Sequence, residues 1–204
     1  MIKRILFILF LFLIIYTAEQ SLSYAAMYTF TPPDLDLYDL NHNKAYSWGI
    51  RQTLAPNEVI TRARLQIFNI NNWYEPEDDI LYVRLFRDAP RGIRVFDDYQ
   101  IDSDYFEDRG RLLFTWTDDN EYWDGEEYVN DPENLRYRFT RRELRVLNNA
   151  IQDGNFGFGF DPDCHYYNDG IRFQFETKIV PEPATMSLLG LSLLGLGIFK
   201  RKKM

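Results

Sequence analysis

FGFGFDPDCHYYNDGIRFQFET, residues 156–177, is the stretch that decides the fold. Phe156, Phe158 and Phe160 alternate with Gly157 and Gly159. After a polar turn, Ile171, Phe173 and Phe175 alternate with Arg172, Gln174 and Glu176. A period of two places successive side chains on opposite faces of a β-strand. The two runs are expected to form a hairpin with its phenylalanines packed inward.

The same period recurs upstream. In Val59–Ile70, Ala63, Leu65 and Ile67 point one way and Arg62, Arg64 and Gln66 the other. In Ile80–Phe86, Leu81, Val83 and Leu85 alternate with Tyr82 and Arg84, and Leu112–Trp116 and Leu135–Phe139 are shorter strands. Such alternation marks strands with one wet face. The intervening NINNWYEPEDD is a loop of turn formers and carboxylates, and 27–45, rich in Pro, Asp and Asn, reads as an opening loop with one short strand. One helix is expected. Thr140 caps it, Glu143 completes a capping box, Leu144, Leu147 and Ile151 share a face, and Gly154 ends it. Short strands, frequent turns and one minor helix predict a mainly β chain. It is an antiparallel β-sandwich of jelly-roll type over residues 27–179.

The ends read differently. Lys3 and Arg4 precede an apolar run, Ile5–Tyr16, and then a polar stretch ending in small residues at Ser23 and Ala25. Twelve apolar residues fall short of the ~20 that span a bilayer. Residues 1–26 are therefore expected to be a secretory signal peptide, cut by signal peptidase near Ala25 or Ala26. At the other end, Val180-Pro181-Glu182-Pro183 leads into the apolar segment Ala184–Phe199 and the basic cluster Lys200–Lys203. That segment reads as a short transmembrane helix whose basic end stays in the cytoplasm, so the central domain lies outside.

Residues 180–204, with Pro181, Glu182 and Pro183 before the apolar segment and its basic close, resemble the PEP-CTERM sorting signal. The resemblance implies a protein of an exopolysaccharide-producing Gram-negative bacterium. Its tail would be held in the inner membrane, then processed by the protease-transpeptidase exosortase, leaving the domain at the cell surface or in the matrix. Residues 156–177 also look like domains of other proteins with this tail, which implies an extracellular sandwich but no mechanism.

Composition narrows the central domain. Of 23 Lys or Arg and 31 Asp or Glu in the chain, two basic and one acidic residue lie in the leader and four basic and one acidic in the tail. That leaves 17 against 29, a net charge of −12. Such a balance argues against nucleic acid and anionic membranes as partners and suits cations or neutral glycans. Cys164 is the only cysteine, so no internal disulfide forms and the core must hold the fold.

Within DPDCHYYNDG, Asp161, Asp163, Asn168 and Asp169 are candidate calcium ligands, as hard oxygens suit that ion. Asp34, Asp36 and Asp39, and Asp78 and Asp79, are further sources. The spacing matches no EF-hand, and Asx-turns account for the same residues. Cys164 and His165 are adjacent, so their side chains diverge. A transition-metal site or a Cys–His nucleophile is not expected there. Trp73 and Trp123, in acidic loops, are candidate sugar-stacking platforms, whereas Trp48 and Trp116 belong in the core. No catalytic motif is present. The expected role is a non-catalytic surface or matrix protein associated with exopolysaccharide. A glycan-binding module and a carbohydrate-active enzyme with calcium-supported loops are the alternatives.

Overall fold

A computed structural model describes residues 26–72, 80–99, 103–119, 121–123 and 128–180, with the backbone alone for 121–123 and 128–130. The expected signal peptide, the 73–79 loop with Trp73, and the sorting tail beyond Val180 lie outside these residues. No described helix is long and apolar enough to cross a membrane.

The described residues are mainly β, with antiparallel sheets and one α-helix. The strands are β1 (Met27–Phe30), β2 (Lys44–Arg51), β3 (Glu58–Asn72), β4 (Leu81–Phe86), β5 (Gly92–Asp97), β6 (Arg111–Trp116), β7 (Glu121–Trp123), β8 (Tyr128–Asn130), β9 (Glu133–Arg138), β10 (Asn155–Pro162), β11 (Tyr166–Tyr167) and β12 (Gly170–Ile179). One sheet runs β1-β12-β3, with β9 and β11 also paired to β3. A second runs β5-β2-β10-β4-β6, and β7 and β8 form a separate two-stranded sheet. In chain order the antiparallel pairs are nested: β1 with β12, β2 with β10, β3 with β9, and β4 with β6.

The two phenylalanine runs do not pair as a hairpin. β10 lies in the middle of the second sheet and β12 in the first, so their side chains meet face to face across the core. Phe158 and Phe173 have ring centroids 4.8 Å apart, and Phe156 and Phe173 5.7 Å. All three are completely buried. Inward-facing rings satisfy a two-sheet sandwich as well as a hairpin, and alternation alone cannot separate the two.

Both faces of β10 are covered. The phenylalanines enter the main core, while Gly157 and Gly159 face a smaller cluster of Ala45, Phe86, Ala89 and Phe106. A Cβ at Gly157 would lie 2.4 Å from the Trp48 carbonyl oxygen and 2.6 Å from the Ala89 Cβ. Glycine is required here by close backbone approach. Gly157→Ala is expected to lower stability by about 1–3 kcal/mol through overpacking, read as a lower urea midpoint at unchanged slope.

The helix, α1 (Arg141–Gln152), forms where expected. Thr140 accepts from the Glu143 backbone N–H while the Glu143 carboxylate accepts from that of Thr140, a complete capping box. Asn148 ties it to β3 by accepting from Ile60 N at 2.8 Å and donating to Ile60 O at 3.0 Å. The opening segment holds a turn in which Leu37, Tyr38, Asp39 and Leu40 all have positive φ. This region is costly for non-glycine residues. Complete burial of Leu37 and Leu40 holds it in place.

Candidate functional site

The outward positions of β10 run Gly157, Gly159, Asp161. Asp161 is 1% exposed and accepts a hydrogen bond from Tyr105 N at 2.6 Å. It sits beside the carboxyls of Asp98 and Asp104. Arg84, from β4, is also buried, and its Nε donates to Asp104 Oδ2 at 2.5 Å. Asp104 in turn accepts from Phe106 N at 2.9 Å. Burial, followed by the charge and hydrogen bond of Asp98, pushes the Asp161 carboxyl up to about 8, against the pull of the Tyr105 N–H. Two buried carboxyls in contact cannot both ionise cheaply, so near neutral pH Asp161 retains its proton. The group clamps residues 104–106 over the second sheet and thereby seals the smaller core.

The four candidate calcium ligands are drawn to different partners. Asp161 belongs to the cluster just described. Asp163 is buried, and its N–H donates to Ile80 O at 3.0 Å. Asn168 donates to Asp36 O at 2.8 Å and accepts from Gly170 N at 3.0 Å, the Asx-turn pattern. Asp169 accepts from Asn69 Nδ2 at 2.5 Å. Asn168 and Asp169 do come together with Asp39, Asn69, Asn71 and the exposed Tyr167 around a groove of about 530 Å³. Among the described residues, no group of three or more His, Cys, Asp or Glu is placed to hold a metal ion.

Cys164 and His165 diverge as expected. The Cys164 thiol donates to Asn72 Oδ1 at 2.6 Å, while the His165 ring lies 5.0 Å from that of Tyr167. Burial holds the His165 imidazole below its usual value. Trp48 is core, 5.8 Å from Phe158. Trp116 is half-buried, with its Nε1 donating to Glu133 at 2.6 Å. Of the two candidate stacking residues, Trp73 lies outside the described residues, and for Trp123 only the backbone, in β7, is described.

Sequence reasoning missed the grouping of arginines. Arg62 and Arg64 on β3, Arg136 and Arg138 on β9, and Arg172 on β12 all project from the outer face of the first sheet, and all are exposed. The alternation in each strand carried the signal. The pairing of the strands was needed to join them into one surface.

The chain is thus a β-rich body followed by a short tail that begins at a Pro-Glu-Pro triplet. Residues 180–202 match the protein-family model described as the PEP-CTERM protein-sorting motif. The chain carries that motif, which marks it as an exported protein sorted by exosortase, through a membrane-anchored stage, to the cell surface. A comparison with curated proteins gives no match. Among solved structures, the chain is similar to a latent aurone synthase (polyphenol oxidase) from natural source. The identity is 8% and the TM-score 0.36, over 70% of this chain and 26% of that one. The chain spans about a quarter of that protein's length, and a likeness at this level transfers neither fold nor activity.

Proposed function

We propose that this is a non-catalytic structural or adhesive protein of the cell surface or extracellular matrix, associated with exopolysaccharide and built on a jelly-roll β-sandwich. The nested strand pairs support the jelly-roll reading, because such a fold is one long hairpin wrapped into two facing sheets. The observation that carries the function is the sorting motif at residues 180–202. Pro181, Glu182 and Pro183 act as a substrate for exosortase. The body they deliver is closed by two cores, and its buried Asp–Arg cluster is occupied with holding backbone.

The test is made in the producing bacterium. In the wild type, mass spectrometry of the surface-extracted chain is expected to find a mature C-terminus lacking Lys200–Lys203. Glu182→Ala is expected to leave most of the chain in the membrane fraction with its tail intact. A surface chain that retains Lys200–Lys203 in the wild type would overturn the reading.

A further inference from the structure

We infer that the outer face of the first sheet is a binding surface for an acidic polysaccharide, one bearing carboxylates on its sugar rings. The inference rests on the surface-protein reading, which decides what polymer the chain meets.

The charge distribution is the first argument. The central domain carries 29 acids against 17 basic residues, yet this face presents five exposed arginines, with Glu176 as the acid that alternates with Arg172 on β12. Glu176 is engaged by Arg62 at 3.3 Å. A net negative protein with one concentrated positive face attracts anions to that face and repels them elsewhere.

Strand register is the second. Arg64 stands directly opposite Arg138 across β3 and β9, and Arg136 opposite Gln66. Like charges directly opposite on a sheet are destabilising. Among the described residues neither Arg136 nor Arg138 has a side-chain partner in the fold. Structure alone gives no return for this arrangement, whereas an anion from outside would relieve it.

Pre-organisation is the third. Arg64 Nε donates to Gln174 Oε1 at 2.8 Å, and Gln174 donates to Thr29 Oγ1 at 2.9 Å, a polar row across β3, β12 and β1. Arg172 lies over the Phe68 ring at 4.8 Å. A guanidinium held at one edge or on one face keeps its remaining N–H groups aimed outward in the fork that matches a carboxylate. At one end of the face, Arg62, Arg64 and Arg138 rim a groove of about 530 Å³ that Gln174 and Glu176 also line. A rim of three guanidiniums suits a sugar ring that offers a carboxylate at its edge. Single-stranded nucleic acid would require exposed aromatic platforms, and the groove's two aromatics, Phe139 and Phe175, are buried. An anionic bilayer would favour clustered apolar anchors, whereas the exposed Met27 on β1 and Tyr167 on β11 stand on opposite edge strands of this sheet.

The test uses the full chain in a non-ionic detergent, with sodium polygalacturonate as the probe and dextran as the neutral control. The wild type is expected to bind polygalacturonate and not dextran, more weakly as salt rises. The triple variant Arg64→Gln, Arg136→Gln, Arg138→Gln is expected to bind about tenfold more weakly, the sum of three exposed ion contacts. Its melting temperature should be unchanged or higher, because it removes like-charge repulsion. A second triple, Arg94→Gln, Arg141→Gln, Arg145→Gln, alters net charge equally on exposed positions elsewhere and should bind within about twofold of wild type. Equal loss in both triples, no polygalacturonate binding, or tighter binding to single-stranded DNA or anionic vesicles would each overturn the inference. So would a concentration-dependent dimer that the first triple abolishes and polygalacturonate does not compete. Surface recovery with a processed tail but no polygalacturonate binding would sink this inference alone and leave the sorting reading standing.

Discussion

Phe173→Ala is expected to lower the stability of the domain by about 3–5 kcal/mol, the range for deleting a buried aromatic ring and leaving its cavity. Phe173 is fully buried and contacts the rings of Phe30, Phe139, Phe156, Phe158 and Phe175, with centroids 4.8 to 6.3 Å away. It is where the two sheets touch. Refilling the space would require both sheets to move, and central strands cannot shift without breaking their ladders. Typical domains are stable by about 5–15 kcal/mol in total, so the loss is a large fraction. Its neighbour Arg172 points out, and Arg172→Ala should fall within about 0.5 kcal/mol of wild type. Urea unfolding of the two variants checks the pair. Similar midpoints would mean that β12 does not present alternate residues to a shared core.

Asp161→Asn is expected to flatten the pH dependence of stability between about 4 and 8, and to make the variant the more stable chain at pH 8. The Asp161 carboxyl stands at about 8 in the folded chain, raised by burial and then by Asp98, against an ordinary 3.8. The folded state therefore holds a proton that the unfolded chain releases as pH rises. The stability this group contributes is fully present below about 4 and is lost progressively as pH climbs through about 8. An asparagine keeps the same shape, accepts from Tyr105 N, donates to Asp98 and has no proton to lose. At pH 8 the advantage should be about 1–3 kcal/mol, following the free-energy equivalent of a shifted pKa with allowance for the coupling. Urea midpoints at pH 5 and pH 8 measure it. Parallel loss of stability by both chains over that range would show that Asp161 is not the titrating group.

Both expectations concern β10 and β12, whose alternating phenylalanines suggest a hairpin in sequence but which lie in different sheets. The period of β12 is legible because it buries every second residue, and that of β10 because rings on its core face alternate with glycines where backbone approaches closely. The α1 boundaries were legible for a local reason too, since the Thr140–Glu143 capping box closes within one turn. β2, β5, β7, β8 and β11 are not marked in the sequence reading; β2 is buried on both faces and so lacks a polar alternation. β5 shows little of the buried alternation that betrays a strand, and β11 is two residues long. The polar loop reads as one cluster because its residues are close in sequence. In space, Asp161 faces Tyr105 from its strand while Asn168 turns back on Gly170.

By itself the sequence determined the address and the class: a sorting tail at 180–202 behind a mainly β, antiparallel body with one capped helix. Those properties are local, written in short runs whose chemistry does not depend on what lies opposite. Only the tertiary structure decided that the phenylalanine strands oppose one another in different sheets, that Asp98, Asp104, Asp161 and Arg84 share one buried site, and that arginines from three strands form a single face. Each of these joins residues far apart in the chain. Which distant strands become neighbours is settled by packing of the whole core, a quantity that no window of sequence contains.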